Sequence, residues 1–330
     1  MPTPPLSREL AQQAVDAMSL ALTEGRSQRS AARSLGLHCG TFAGRLDAAA
    51  IHYKLHPEAT PLPEVEAIRD PRPRVRVKAS RSVDDSPVYR VLGIGDAHDG
   101  PHLPDKSRFK WIARHAMTTR PDQIVQIGDI ATFDSLSRHD SPGSLTQKIR
   151  PSFARDMESL EEALHAFHSV AGTELEMHLT LGNHEGRVLK FEQGTAEIEG
   201  QLWQPLMDLF ARYGWRTHEE GVFHFIGSVG FVHAPRNIMG REYGGKTLNP
   251  IGNDAVFSLV FGHSHRGQVQ HFPKIGPLQG ITVCNLGTSM PTNHVENYAR
   301  VSTTGWTYGC YDLTIQGGRI IGHEFISMDE

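Results

Sequence analysis

Cysteine, long apolar runs and an excess of one charge are all scarce in this chain of 330 residues. Cys39, Cys284 and Cys310 are too few and too widely spaced for a disulfide framework or a cysteine zinc site, which predicts a reducing, cytoplasmic setting. The longest apolar run, residues 256–261, contains Ser258 and is far shorter than the about 20 residues of a transmembrane helix. The first ten residues lack the basic start and apolar segment of a signal peptide. We therefore predict a cytoplasmic protein without a membrane partner.

Histidine, by contrast, is abundant, at 19 residues. Many imidazoles and few thiols direct attention to histidine metal ligands. The charge is unevenly distributed, because residues 1–90 carry a net +3 and the rest of the chain −7. A chain of this length suits about two domains. Composition and pattern predict a small all-α domain over 1–58, a linker over 59–87 and a larger domain over 88–330.

The first 58 residues carry a helical pattern. Apolar residues recur at three- and four-residue spacing in the first helix, namely Leu10, Ala14, Val15, Met18 and Leu22. The signals that bound the three predicted helices are Gly25 after the first, Ser27 and Leu35 around the second, Gly36 in the next turn, and Cys39 or Thr41 at the start of the third. The third helix is expected to turn Phe42, Leu46 and Ala49 inward.

Two helices joined by a glycine turn follow the plan of a helix-turn-helix. Ala32, four residues before Gly36, is small enough to let the helices cross closely. The side chains expected to face DNA are Arg29, Arg33, Thr41 and Arg45. Small three-helix units that serve packing or oligomerisation share this pattern, so both interpretations stay open.

The linker is predicted from proline and basic residues. Four of its prolines, Pro61, Pro63, Pro71 and Pro73, disfavour regular structure. A basic run within it suits a nucleic-acid backbone and contains Arg72, Arg74, Arg76, Lys78 and Arg81.

From Val88 onward, short apolar runs alternate with helical stretches, which predicts an α/β fold. The runs are VYRVLGIGD, QIVQIGD, EMHLTLGNH, VGFVHA, SLVFGHSH and ITVCNLGT. Helices are predicted over 106–118 and 152–171, and the second has an apolar stripe of Phe153, Met157, Leu160, Leu164 and Phe167. More strands and fewer helices follow Val222, so we expect a layered β-sandwich flanked by helices.

Five of these runs end in residues that can bind metals. They supply three oxygen donors and four imidazoles, namely Asp96, His98, Asp129, Asn183, His233, His263 and His265. Because sites collect at the carboxyl ends of strands, these side chains are expected to meet. Residues two apart on an extended chain point the same way, which predicts that Asp96 and His98 reach one centre from one face, and that His263 and His265 do so too. Such a set suits two divalent cations and phosphoester hydrolysis.

The ordered motifs GDAH, GD, GNHE, His and GHSH resemble those of the calcineurin-like metallophosphoesterase superfamily, over about residues 88–325. The resemblance implies a β-sandwich flanked by helices and two divalent metal ions, Mn, Fe, Zn, Ni or Co, with Mn favoured. It places Asp96, His98 and His265 on the first ion and Asn183, His233 and His263 on the second, with Asp129 bridging. It also implies that His184 acts as general acid or stabilises the transition state, and that water activated by both ions is the nucleophile. We expect His184 to lie on a strand-to-loop turn, with its side chain pointing away from the metal ligands and toward the leaving group.

The sequence departs from the family's protein phosphatases after the second motif. Thr132 stands where those enzymes have a second aspartate, and no Arg-Gly pair follows, so a phosphate-binding arginine is absent there. Arg187 and Arg236 are the candidate substitutes, because a guanidinium suits phosphate oxygens. Asp134 and Asp140 are the candidates for orienting His184.

Two loops, 139–151 and 236–250, are expected to overhang the site and to determine specificity. Their candidate substrate contacts are Arg241, Tyr243 and Lys246, which are equally compatible with a solvated loop surface.

Three functions remain open: a phosphodiesterase or nuclease delivered to DNA, a phosphomonoesterase acting on proteins or small molecules, and a non-catalytic DNA-binding regulator with a structural metal site. The expected partner is a phosphoester substrate, with DNA among the candidates.

Overall fold

The chain forms two compact units, Met1–Ser80 and Arg81–Glu330, in the computed structural model. The structure describes residues 6–58, 86–138, 143–172, 174–243, 247–275, 280–292, 294–296, 299 and 305–328. It is a mixed α/β structure with two mixed sheets. No helix in these described ranges has both the length and the apolar character of a membrane span.

The described residues of the first unit, 6–58, form three helices, as the sequence predicts. They are α1 (Arg8–Thr23), α2 (Gln28–Ser34) and α3 (Cys39–Tyr53). Ser7 caps α1 by accepting a hydrogen bond from the backbone N–H of Leu10. Gly36 has φ +66°, a conformation that favours glycine, and it forms the turn between α2 and α3.

The core of this unit is built mainly from small side chains. One cluster contains Ala14, Ala21, Ala31, Ala32 and Phe42, and another contains Ala11, Val15 and Ala49. Alanines on all three helices let the backbones approach closely around the one fully buried ring, that of Phe42. Leu46 is half-buried and packs against both clusters.

The second unit begins with β1, directly after the predicted linker. Residues 59–85 of that linker lie outside the described residues, and Ser86 and Pro87 belong to no helix or strand. The helices of this unit are α4 (Ser107–Thr119), α5 (Leu145–Lys148), α6 (Phe153–Ala171), α7 (Asn183–Gln193), α8 (Trp203–Arg212) and α9 (Asn249–Asp254). Short 3₁₀ helices span Asp134–Leu136 and Ala196–Ile198.

The strands form a six-stranded and a five-stranded sheet. They are β1 (Val88–Ile94), β2 (Gln123–Gln126), β3 (Met177–Thr180), β4 (Trp215–His218), β5 (His224–Ile226), β6 (Val229–Phe231), β7 (Leu259–Phe261), β8 (Gln268–Pro273), β9 (Gly280–Asn285), β10 (Gly309–Gln316) and β11 (Arg319–Ser327). The first sheet has the order β11-β10-β1-β2-β3-β4, and the second has the order β5-β6-β7-β9-β8. All six predicted runs form strands.

Parallel pairing aligns the strand ends that matter for the site. In the first sheet β1, β2, β3 and β4 are parallel neighbours, and β10 and β11 add antiparallel strands beside β1. In the second sheet β6, β7 and β9 are parallel, and β5 and β8 are antiparallel at the ends. The carboxyl ends of the parallel strands in each sheet therefore lie along one edge.

Three apolar clusters hold this unit together. One joins the first sheet to α4, α6 and α8, and it contains Leu160, Leu164 and Phe167 of the predicted stripe. A second contains side chains of both sheets, among them Val125 and Phe231. A third joins the second sheet to α9. At roughly 25 cal/mol per Å² of apolar surface, these contacts are the main favourable term in folding this unit.

Candidate metal centre

Each candidate ligand follows the end of a parallel strand. Asp96 and His98 follow β1, Asp129 follows β2, His233 follows β6, and both His263 and His265 follow β7. Asn183 is instead the first residue of α7, three residues after β3. Five of these seven residues are buried, Asn183 is half-buried, and the His263 side chain is about one third exposed. The topology thus gathers all seven predicted ligands at one edge.

The backbone positions these ligands differently from the sequence prediction. His98, His263 and His265 have φ values of 44°, 67° and 58°, in the left-handed region. Asp96 and His98 belong to one group of closely spaced ligand atoms, as predicted, whereas His263 and His265 belong to different groups. In both pairs the backbone departs from the predicted extended conformation at the histidines. The side chains meet because the chain turns sharply at each histidine, a conformation that costs about 1–2 kcal/mol per non-glycine residue. Such local strain is typical of functional sites.

Asp96, His98 and His265 form one group of closely spaced donor atoms. His265 Nε2 lies 3.0 Å from Asp96 Oδ2 and 3.1 Å from His98 Nε2. Two ligands at tetrahedral angles on a zinc-sized ion lie about 3.3 Å apart, so these separations suit a shared cation.

Asn183, His233 and His263 form the second group. Asn183 Oδ1 lies 3.0 Å from His233 Nε2 and 3.0 Å from His263 Nδ1. The two imidazole nitrogens are 3.3 Å apart.

Asp129 lies between the two groups. Its Oδ2 is 3.2 Å from His233 Nε2 and 3.7 Å from His98 Nε2, so one oxygen faces both. Its Oδ1 accepts a hydrogen bond of 2.8 Å from the backbone N–H of His184. That bond fixes the carboxylate and leaves Oδ2 for a cation.

The hydrogen bonds of His233 show that this pocket requires positive charge. His233 Nδ1 lies 3.0 Å from the carbonyl oxygen of Ile127, so Nδ1 carries the proton and Nε2 presents a lone pair. That lone pair faces Asp129 Oδ2 and Asn183 Oδ1, which are acceptors too. Three acceptors that converge in a buried site repel one another unless a cation or a proton lies between them. The donor set therefore fits a divalent metal.

The pKa shifts agree with this requirement. Burial lowers the pKa of His98 well below its usual value, and the neighbouring His184 and His265 lower it further. Burial also disfavours charge on His233, but the Asp129 and Asp96 carboxylates outweigh it and raise the pKa of His233. Burial likewise opposes ionisation of Asp129, yet the His233 and His184 imidazoles hold its pKa well below the usual range. An ionised Asp129 beside a neutral His98 is the protonation state that metal binding needs.

Glu185 links two ligand-bearing segments of this centre through backbone hydrogen bonds, a role that the sequence analysis did not assign. Its carboxylate accepts hydrogen bonds from the backbone N–H groups of Gly182, Asp129 and Ile130, at 2.8, 2.9 and 2.9 Å. The loop after β2 is thereby tied to the start of α7. Burial and the nearby Asp129 raise the pKa of Glu185, against the opposing effect of these donors. Its place in the GNHE motif was the only signal for it.

Asp99 anchors the first ligand loop to the helices behind it. Its buried carboxylate pairs with Lys106 at 2.6 Å and with Arg108, and it accepts a hydrogen bond of 2.9 Å from Ser159 Oγ. A buried carboxylate with these partners is held at one position, so the neighbouring His98 is held as well. No sequence signal indicated this role, because Asp99 follows the GDAH motif without belonging to it.

His184 lies closer to the ligands than the sequence analysis expected. It belongs to the first turn of α7 and not to a strand-to-loop turn. Its Nε2 is 3.9 Å from Asp129 Oδ2, and its ring packs edge-on against that of His98, with 4.4 Å between centroids. The expectation that its side chain points away from the ligand cluster is therefore wrong.

A backbone carbonyl orients His184. Its Nδ1 lies 2.9 Å from the carbonyl oxygen of Thr132, so Nδ1 donates and Nε2 accepts a bond of 3.0 Å from Arg187 Nη2. Burial lowers the pKa of His184; Arg187 lowers it further, against Asp129. Asp134, one of the two predicted orienting carboxylates, lies 3.9 Å from Arg187 Nη1 instead. Asp140, the other, lies outside the described residues.

The two candidate arginine clamps have different surroundings. Arg187 lies at the site, where Nη1 also donates to the carbonyl oxygen of Thr132 at 2.9 Å. Arg236 is paired with Glu220 at 2.7 Å and Glu242 at 3.2 Å. Arg187 is therefore the better placed of the two to meet a phosphoryl group.

Two further glutamates lie beside the outer ligands. Glu242 Oε2 is 3.5 Å from His263 Nε2, and Glu296 Oε1 is 3.9 Å from His98 Nδ1. Each carboxylate faces one ring nitrogen and favours the ring orientation in which the other nitrogen, His263 Nδ1 or His98 Nε2, faces the candidate metal centre. Neither glutamate belongs to a motif, so sequence reasoning missed both.

Among the loop candidates, Tyr243 donates to Asp254 at 2.6 Å, Arg241 is exposed, and Lys246 lies outside the described residues.

The candidate DNA-facing residues lie on the separate three-helix unit. Arg29 and Arg33 are exposed on α2, Thr41 is exposed in the first turn of α3, and Arg45 is half-buried. The first three are thus accessible to a partner.

No protein-family model matches the chain, and no curated protein matches it in sequence.

Proposed function

We propose that this chain is a dinuclear-metal-dependent phosphodiesterase of the calcineurin-like metallophosphoesterase superfamily, acting on nucleic acid. One observation carries the proposal: seven side chains that can bind metals converge, and their oxygen and nitrogen atoms lie about 3 Å apart around Asp129. The layered β-sandwich flanked by helices is part of the same proposal, supported by the apolar cluster that both sheets share.

Two cations would be held as the resemblance implies. Asp96, His98 and His265 would hold one; Asn183, His233 and His263 would hold the other; and Asp129 would contact both. Such ions, when bound, neutralise charge on a phosphoryl group and make water a stronger nucleophile. Manganese is favoured by the mixture of oxygen and imidazole donors.

The chain's own residues would position and protonate the ester. Arg187, whose guanidinium ends beside His184, would bind a non-bridging phosphoryl oxygen. His184 would protonate the leaving oxygen from Nε2 in its imidazolium form, once Arg187 leaves Nε2 to bind the phosphoryl oxygen; the Thr132 carbonyl would keep the ring with Nε2 toward the centre. Burial and the neighbouring guanidinium lower the pKa of His184, which favours release of that proton.

A nucleic-acid substrate is supported by the three-helix unit. Its α2 and α3 are joined through Gly36 as in a helix-turn-helix, and Arg29, Arg33 and Thr41 are exposed. Exposed arginines of this kind bind phosphates and supply affinity that depends on salt concentration.

A comparison of two model esters tests the proposal. The metal-stripped protein, reloaded with Mn²⁺, is expected to hydrolyse bis-p-nitrophenyl phosphate faster than p-nitrophenyl phosphate. Asp129→Ala should abolish both activities and reduce bound Mn²⁺, measured by elemental analysis, because Asp129 faces both groups. Asp208→Ala, an exposed carboxylate on α8, is the matched control and should behave as wild type.

The other outcomes identify the competing functions. Preference for the monoester would favour a phosphomonoesterase whose three-helix unit serves assembly. No hydrolysis with Mn²⁺, Ni²⁺, Co²⁺ or Zn²⁺ would favour a DNA-binding regulator with a structural metal site. Unchanged metal content in Asp129→Ala would contradict the assignment of Asp129 as the shared ligand.

A further inference from the structure

Three histidines outside the proposed catalytic centre lie against one another at the ends of the two sheets. His178 belongs to β3, His218 ends β4 and His224 begins β5. β4 is the end strand of the first sheet, and β5 is the end strand of the second. The three residues therefore join two sheets that pair with each other nowhere along these strands.

Strand register explains why they face the same space. Met177 and Leu179 contribute to the apolar cluster beneath the helices, so His178, between them, faces the other side of the first sheet. His224 is paired opposite Phe231, which contributes to the cluster shared by both sheets. His178 is 4% exposed, and the other two are half-buried.

Their nitrogen atoms are close enough to share an ion. His178 Nδ1 lies 3.0 Å from His218 Nε2. One potential ligand atom from each of the three residues lies within 4.8 Å of the other two. His224 Nε2 is buried and has no hydrogen-bond partner among the described residues. A buried imidazole nitrogen without a partner is costly in a folded protein, and a bound cation would satisfy it.

A carboxylate already orients the most buried member. His178 Nε2 lies 3.2 Å from Glu176 Oε1, so this nitrogen donates its proton and Nδ1 turns its lone pair toward His218. Histidines that bind metals commonly donate their second nitrogen to a carboxylate in this way. Glu176 is itself held by Arg216 at 3.0 Å. The carboxylate contact is thus a second observation, independent of the clustering, that points to a cation.

We propose that His178, His218 and His224 form a third divalent-cation site, suited to Zn²⁺, that fastens the ends of the two sheets together. Imidazole is a preferred ligand of Zn²⁺, and three imidazoles fill three of its usual four positions. The site is independent of the proposed catalytic centre, because it shares no residue with it. Its occupant would stabilise the folded chain, since the ligands come together only when the two sheets do.

Zinc stoichiometry in matched variants tests this site. The full chain is stripped of metal, reloaded with Zn²⁺, freed of excess by gel filtration and analysed for zinc per chain. We expect three ions in wild type, two in His224→Phe and one in Asp129→Ala. His323→Phe replaces an exposed histidine on β11 and should retain three. Equal zinc content in wild type and His224→Phe would overturn the proposal and leave the histidines as stacked rings, with 3.9 Å between the centroids of His178 and His224.

The design separates this proposal from the proposed function. If the catalytic centre binds no zinc, Asp129→Ala matches wild type while His224→Phe still loses one ion. Should His224→Phe fail to fold by circular dichroism, Glu176→Gln decides, since it keeps all three ligands. Zinc affinity in Glu176→Gln, from competition with a chromophoric chelator, should fall about 10–100-fold at one site. Unchanged affinity at every site would contradict the proposal.

Discussion

His184 and Arg187 lie side by side, but their proposed roles predict different effects of mutation on the kinetics. His184 Nε2 faces Asp129 and accepts from Arg187, and the Thr132 carbonyl fixes the ring. A proton donor matters most when the leaving oxygen is strongly basic. A cation that binds phosphoryl oxygens matters for every ester alike.

His184→Asn is therefore expected to keep both metal ions of the proposed catalytic centre and to lose activity according to the leaving group. Removal of a general acid typically costs about 10²–10⁴ in rate, so hydrolysis of a dinucleotide should fall by that order, and hydrolysis of bis-p-nitrophenyl phosphate much less. kcat for both esters and metal content by elemental analysis are the measurements. Arg187→Gln serves as the comparison and should lower kcat for both esters by a similar factor.

Equal loss on the two esters in His184→Asn would assign His184 to charge stabilisation and not to proton transfer. Loss of metal would instead make His184 a ligand. Its position 4.4 Å from the His98 ring centroid gives that second outcome a structural basis.

At the scale of the elements, the start of α7 depends on one close backbone approach. A Cβ added at Gly182 would overlap the Asp129 carboxylate and lie 2.7 Å from the Asp129 backbone nitrogen. The loop after β2 and the start of α7 can approach this closely only because residue 182 has no side chain.

Gly182→Ala should accordingly displace Asp129 and lower metal affinity about 10–100-fold, the usual effect of disturbing groups that orient ligands. Titration of the stripped protein with Mn²⁺ measures this effect. Gly44→Ala is the matched control, because nothing lies within 4 Å of a Cβ added there, and it should leave metal affinity unchanged. Equal affinities in the two variants would mean that Asp129 does not depend on this approach.

Sequence pattern predicted the strand ends but not the conformations that follow them. Apolar runs that end in small or acidic residues identified β1, β2, β3, β6, β7 and β9, because buried parallel strands read as continuous apolar segments. The left-handed turns at His98, His263 and His265 were not predictable, since propensity assigns such φ values to glycine. The tertiary contacts of these loops override the local preference.

The histidine cluster was invisible for another reason. His178 and His218 are 40 residues apart, and His224 lies on the other sheet. Only sheet order and register bring them together, and neither follows from one sequence. Glu242 and Glu296 escaped notice similarly, because each lies in a loop without a motif.

At the scale of the whole molecule, the contacts divide near Ser80. Each unit has its own apolar clusters, with Phe42 at the centre of one cluster and Val125 and Phe231 in another. A core that is complete within each unit predicts that each folds without the other.

A fragment starting at Ser86 should hydrolyse bis-p-nitrophenyl phosphate with the kcat/KM of the full chain, because all seven ligands lie beyond that residue. It should bind duplex DNA more weakly than the full chain at low salt, measured by fluorescence anisotropy. Arg33→Glu in the full chain should reproduce part of that loss. A soluble fragment that holds its metals and is inactive would contradict the division, and unchanged DNA affinity would make the three-helix unit an assembly element.

The left-handed residues at the strand ends would link the stability of the folded chain to the proposed metal ions. Asp129, with φ 49°, shares this conformation with His98, His263 and His265. Each costs about 1–2 kcal/mol in the folded chain, and the unfolded chain carries no such cost. A ligand present at 1,000 times its Kd returns about 4 kcal/mol to the folded state. The proteolytic half-life of this chain in a cell should therefore rise with the free concentration of divalent metal. A shortage of metal would then lower the amount of the protein as well as its activity.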